Sequence, residues 1–103
     1  MIARAPAARE GGFAVTSEGW TFAGTLTFVD ATAVFEASRG LALPGTGVVD
    51  LAGLVHADSS ALAVMLALKR RAAREGARMV FASIPSGILA LARVYGVEEL
   101  LTI

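Results

Sequence analysis

Apolar and polar positions alternate most regularly in Trp20-Thr21-Phe22-Ala23-Gly24-Thr25-Leu26-Thr27-Phe28. Trp20, Phe22, Leu26 and Phe28 fall at even spacing, the pattern of a half-buried strand whose successive side chains point to opposite faces. Phe13-Ala14-Val15-Thr16 precedes it as a short strand, and Ser17-Glu18-Gly19 supplies turn residues, so the two strands are expected to form a hairpin. Gly24 interrupts the alternation and suggests a bulge or a close backbone approach. Asp30 is placed to cap a helix from Ala31 to Ser38 that ends at Arg39-Gly40. After a loop from Leu41 to Gly47, Val48 to Leu51 is a short β-branched run suited to a central strand.

A longer period takes over at Asp58. Leu62, Met65, Leu66 and Ala73 recur at helical spacing, with Leu68 and Ala72 widening the stripe. Asp58 fits an N-cap, Arg70, Arg71 and Arg74 suit the negative end of the helix dipole, and Gly76 stands where a terminating glycine belongs. Met79 to Ala82 is a further short strand, and Pro85 or Ser86 opens a third helix carrying Ile88, Leu89, Leu91, Ala92 and Tyr95. Gly96 ends that helix, and Val97, Leu100, Leu101 and Ile103 are expected to pack back on the body. The order strand, strand, helix, strand, helix, strand, helix implies an α/β fold with right-handed crossovers. The expectation is one domain over residues 13–103, a four-stranded mixed or parallel sheet with three or more helices mainly on one face, preceded by a flexible N-terminal segment, 1–12.

Composition narrows the function. The chain has 103 residues, enough for one core, and its 55% hydrophobic content is spread out with no run long enough to span a membrane. Residues Met1 to Glu10 lack the apolar centre of a secretory signal. Without cysteine there are no disulfides, thiolate metal sites or thiol nucleophiles. Nine basic and nine acidic residues leave no basic surplus for nucleic acid. A cytoplasmic protein with part of its surface reserved for a partner is the simplest reading.

The candidate chemistry gathers at Asp58-Ser59-Ser60. Either Asp58 caps the helix and the serines are merely small first-turn residues, or the cap leaves the hydroxyls of Ser59 and Ser60 for a partner or a phosphoryl group. Nucleophilic catalysis lacks a base with an orienting group, because the one histidine, His56, stands alone, and one histidine with scattered carboxylates makes no metal site. No cofactor and no enzymatic activity are therefore expected. Lys69-Arg70-Arg71-Ala72-Ala73-Arg74 reads first as a solvated helix end, without aromatic residues to stack bases, though it could touch lipid headgroups or an acidic partner. Gly45-Thr46-Gly47 precedes a strand rather than a helix and so is no phosphate-binding loop. Arg93 and Tyr95 lie near a helix end, where Tyr95 is either a core residue or an interface anchor.

Val49 to Leu62, with Asp50-Leu51 followed by Asp58-Ser59-Ser60, resembles the signature of STAS domains, the family that includes anti-sigma factor antagonists. The element order agrees over residues 13–101, and Gly24 to Thr27 with Leu91 to Val97 is most similar to the MlaB branch. That branch comprises cytoplasmic subunits of a phospholipid-transport ABC complex. The resemblance implies a non-enzymatic subunit at the inner face of the cytoplasmic membrane, bound to the transporter's ATPase and, through it, to the permease, with no membrane insertion of its own. It implies docking through Asp58, Ser59 and Ser60 and neighbouring parts of the third helix, Arg93 and Tyr95. Ser59 matches the family's phosphorylation and contact position. The antagonist branch implies instead an anti-sigma factor or serine kinase as partner, with Ser59 phosphorylated. Ala61 departs from the family's usual glycine, and its methyl is expected to hinder close approach by a kinase or partner backbone more than it disturbs the helix.

Overall fold

The computed structural model describes residues 12–102. The elements are β1 (Gly12–Thr16), β2 (Gly19–Leu26), α1 (Ala31–Ser38), β3 (Val48–Ala57), α2 (Ser59–Arg74), β4 (Val80–Ala82), α3 (Ser86–Val94) and α4 (Glu98–Thr102). The flexible segment expected over 1–12 lies outside the described residues except for Gly12, which opens β1. Strand order is β1-β2-β3-β4; β1 and β2 form the expected antiparallel hairpin, while β2–β3 and β3–β4 are parallel. The sheet is therefore mixed, as the element order requires.

Alternation works as expected over most of β2. Trp20, Phe22 and Leu26 are buried, and the register sets Trp20 beside Val49 and Val49 beside Phe81 across the sheet. Phe13 closes the hairpin side, its ring 5.2 Å from that of Trp20 and 5.0 Å from that of Phe22. The indole N–H of Trp20, too deep for water, donates to the carbonyl of Ala42 at 3.1 Å and so ties down the loop before β3. On this face the helices supply Val34, Leu62, Met65, Leu68, Ile88 and Leu101 to one continuous core.

The chain departs from the periodic pattern in several places. Strand β2 stops at Leu26, and Phe28 stands 77% exposed instead of continuing the inward series. Strand β3 is ten residues long, not four, so His56 sits exposed on a strand rather than in a loop. The extension exists because β2 shifts register between Thr21 and Ala23 and between Gly24 and Thr25, and so follows β3 to pair Leu26 with Ala57. Gly24, with φ of 107°, adopts the backbone that this irregularity needs.

Helix α2 buries Ala61, Leu62, Val64, Met65, Leu68 and Ala72, while Ala73 is exposed, so the stripe is turned slightly from the one expected. Its end is the expected glycine stop. Gly76 has φ of 67°, its N–H donates to the Ala73 carbonyl, and the Ala77 N–H donates to the Ala72 carbonyl. Asp30 occupies the N-cap position of α1 but makes no capping hydrogen bond with its side chain.

Candidate docking site

The site forms where β2 and β3 end and α1 and α2 begin. Asp58 has an extended backbone, and its Oδ1 accepts the Ser60 N–H at 2.8 Å, the N-cap bond expected from its position. Its Oδ2 accepts the N–H of Phe28 at 3.0 Å, from a loop thirty residues earlier. These donors, the Phe28 N–H first and the Ser60 N–H second, hold the Asp58 carboxyl below the usual carboxylate range against partial desolvation and the like charge of Asp30.

Asp30 grips the same loop from its other side. Its Oδ2 accepts from the Thr25 hydroxyl at 2.9 Å, the Thr27 hydroxyl at 3.1 Å and the Thr27 N–H at 3.2 Å. The Thr27 N–H and then the Thr25 hydroxyl lead in holding its carboxyl low as well. The carbonyl of Thr27 accepts the N–H groups of Asp30 and Ala31, both at 2.9 Å. With its backbone fixed at so many points, the loop presents Phe28 and Val29, 77% and 80% exposed, in one geometry. An apolar pair held outward by its own backbone bonds has little backbone entropy left to lose on binding, which favours it as an interface anchor.

Beside this pair, Ser59 is exposed and its hydroxyl makes no hydrogen bond among the described residues. Ser60 is half-buried and borders an open groove of about 270 Å3 between α1 and α2, with Ala31, Thr32, Phe35, Ala63 and Val64. Ala61 has no exposed surface: its methyl points into the core, away from any partner approaching Ser59. The hindrance expected of it at the surface is therefore absent, because the helix turns that position inward.

Arg93 and Tyr95 belong to a different part of the molecule. Arg93 makes a two-pronged pair with Glu98, both contacts 3.1 Å, which bridges α3 to α4 and raises the affinity of the guanidinium for its proton. Tyr95 is 57% exposed after the last turn of α3, so it is not a core residue. No hydrogen bond or ion pair joins either residue to Asp58, Ser59 or Ser60. The first turns of α3 instead face the end of β3 across a cavity of about 370 Å3, lined by Leu54, His56, Pro85, Ile88 and Leu91. His56 has no carboxylate partner there, and among the described residues no three of His, Cys, Asp and Glu gather as metal ligands.

Phe28 and Val29 are the residues that periodicity assigned wrongly or passed over. A signal was present in Thr25-x-Thr27-x-x-Asp30, hydroxyls spaced to turn onto an aspartate and end the strand. Among the described residues no helix is long and apolar enough to cross a membrane. A family model described as "Mlab, STAS domain" matches residues 21–102. No curated protein matches the chain.

Proposed function

This chain belongs to the MlaB-like STAS-domain family, whose domains are regulatory and protein-binding modules, and we propose that it is a non-enzymatic subunit of an ABC transporter for phospholipid trafficking. In this reading it docks on the transporter's ATPase at the inner face of the cytoplasmic membrane and supports a competent ATPase. The observation that carries the reading is the pinned loop at the start of α2, where Asp58 sets exposed Phe28 and Val29 beside the unengaged hydroxyl of Ser59. Apolar anchors next to a small polar group, on a rigid scaffold, are what a protein partner recognises. The groove that Ser60 borders is an open one between α1 and α2.

The test is co-purification of the chain with its ATPase, together with ATP turnover in the presence and absence of the chain. A stable complex with chain-dependent turnover is expected; no complex and unchanged turnover would sink the proposal. Ser59→Glu sharpens it. At the first turn of α2 a carboxylate suits the helix dipole, so the variant stays folded. Buried unpaired against the ATPase, the same charge costs about 2 kcal/mol or more, roughly thirtyfold in Kd.

A further inference from the structure

The C-terminal ends of α1 and α2 enclose a further recess, of about 400 Å3, lined by Phe35, Arg39, Arg71, Arg74 and Glu75. Arginines at helix ends ordinarily serve the orphan carbonyls there. Arg71 does so: its guanidinium donates to the carbonyls of Ser38 at 3.1 Å and Leu41 at 2.7 Å, and its Nε donates to Glu75 at 2.9 Å. Arg74 has no such work at the end of α2, because backbone N–H groups of Glu75, Gly76 and Ala77 already bond the carbonyls of Arg71, Ala72 and Ala73. Arg74 is exposed and has no hydrogen-bond or ion-pair partner among the described residues. Arg39 leans over the Phe35 ring at 6.0 Å and meets only Glu36, at 3.5 Å, in a pair that is mostly in solvent and so holds it weakly. Two guanidinium forks thus flank a recess whose floor is a third, immobilised one.

We propose that this recess is a dock for an acidic segment of a partner protein, a carboxylate entering between Arg39 and Arg74 while a neighbouring apolar side chain packs on Phe35. Planar forks match carboxylates in two-pronged geometry. The concave shape suits single side chains better than a flat bilayer, and Glu75 in the lining, with Glu36 paired to Arg39, matches a peptide of mixed character better than a uniformly anionic surface. The recess is separate from the pinned loop. Ser59 and Arg74 are the two ends of the sixteen-residue α2, about 22 Å apart at 1.5 Å per residue.

The experiment needs only this chain and a labelled peptide of alternating glutamate and leucine, followed by fluorescence anisotropy. Saturable binding is expected, weakened at least tenfold by Arg39→Glu with Arg74→Glu and weakened by added salt. Asp58→Asn is expected to leave it unchanged. Arg39→Gln with Arg74→Gln, which removes charge without reversing it, guards against misfolding, and melting curves of both pairs check it. Binding that ignores both arginine pairs overturns the proposal, as does binding lost with Asp58→Asn but kept in the arginine variants. Binding to phosphatidylglycerol vesicles with none to the peptide assigns the surface to lipid and overturns it too. No transporter component takes part, so the result stands apart from the fate of the ATPase reading.

Discussion

Phe28→Ala separates two readings of one residue. Were Phe28 the next inward member after Phe22 and Leu26, its truncation would resemble Phe22→Ala, where a ring with 1% exposure is removed from the core. Such a deletion costs about 3–5 kcal/mol, a fall in melting temperature on the order of 20 °C for a domain of this size. With Phe28 77% exposed, its truncation is instead expected to change stability by less than about 0.5 kcal/mol. The loss appears in docking. A phenylalanine buries about 150–250 Å2 when fully enclosed; most of that surface is still open here, so an interface would remove on the order of 100 Å2 from water. At about 25 cal/mol per Å2 this is roughly 2.5 kcal/mol, or between fiftyfold and a hundredfold in Kd. Thermal and urea unfolding measure the first quantity and titration calorimetry against the ATPase the second. A melting temperature tens of degrees lower would place Phe28 in the core. Native stability with undiminished affinity would remove it from the interface.

Gly53→Ala is expected to destabilise the fold by about 3 kcal/mol, because its Cβ would lie 2.5 Å from the Phe22 carbonyl oxygen and 3.1 Å from the Ala23 Cα. Those are backbone atoms of the adjacent strand, so β2 and β3 must part to make room. Gly87→Ala is the contrast: nothing lies within 4 Å of its Cβ and the position is inside α3, so a gain of about 0.5–1 kcal/mol is expected from urea unfolding. Equal effects at the two glycines would contradict the close strand approach. Acid titration tests the pinned loop. Asp30 and Asp58 have folded values below their ordinary 3.8, so the stability they contribute is complete above that pH and is lost as pH falls through the folded values. The urea midpoint should therefore drop below about pH 4, and Asp30→Asn with Asp58→Asn should flatten that acid slope. An unchanged slope in the double variant would show that the two carboxylates do not hold the loop as described.

Much of this architecture was legible in local sequence because it rests on local physics. Trp20, Phe22 and Leu26 read as inward strand positions from their spacing, and Asp58 and Gly76 marked the two ends of α2 through the backbone groups that each satisfies. The identity of Asp58 as the N-cap followed from the same reasoning, which left the hydroxyls of Ser59 and Ser60 together as candidates. What the spacing of residues could not contain was any contact made across the chain. The length of β3 depends on β2 shifting register to stay paired with it, and the outward turn of Phe28 depends on carboxylates at Asp30 and Asp58. Whether the Ala61 methyl faced a partner or the core was decided by the rotation of α2 against the sheet, and Arg39 and Arg74 line one recess only because two crossovers laid the ends of α1 and α2 together. Caps, turns and periodicity are set within a few residues, so the sequence alone determined the first seven elements and their order, while the five-residue α4 is too short to show a helical period. Register, helix rotation and the pinned loop are set by groups as many as thirty residues apart, and only the folded chain brings those together.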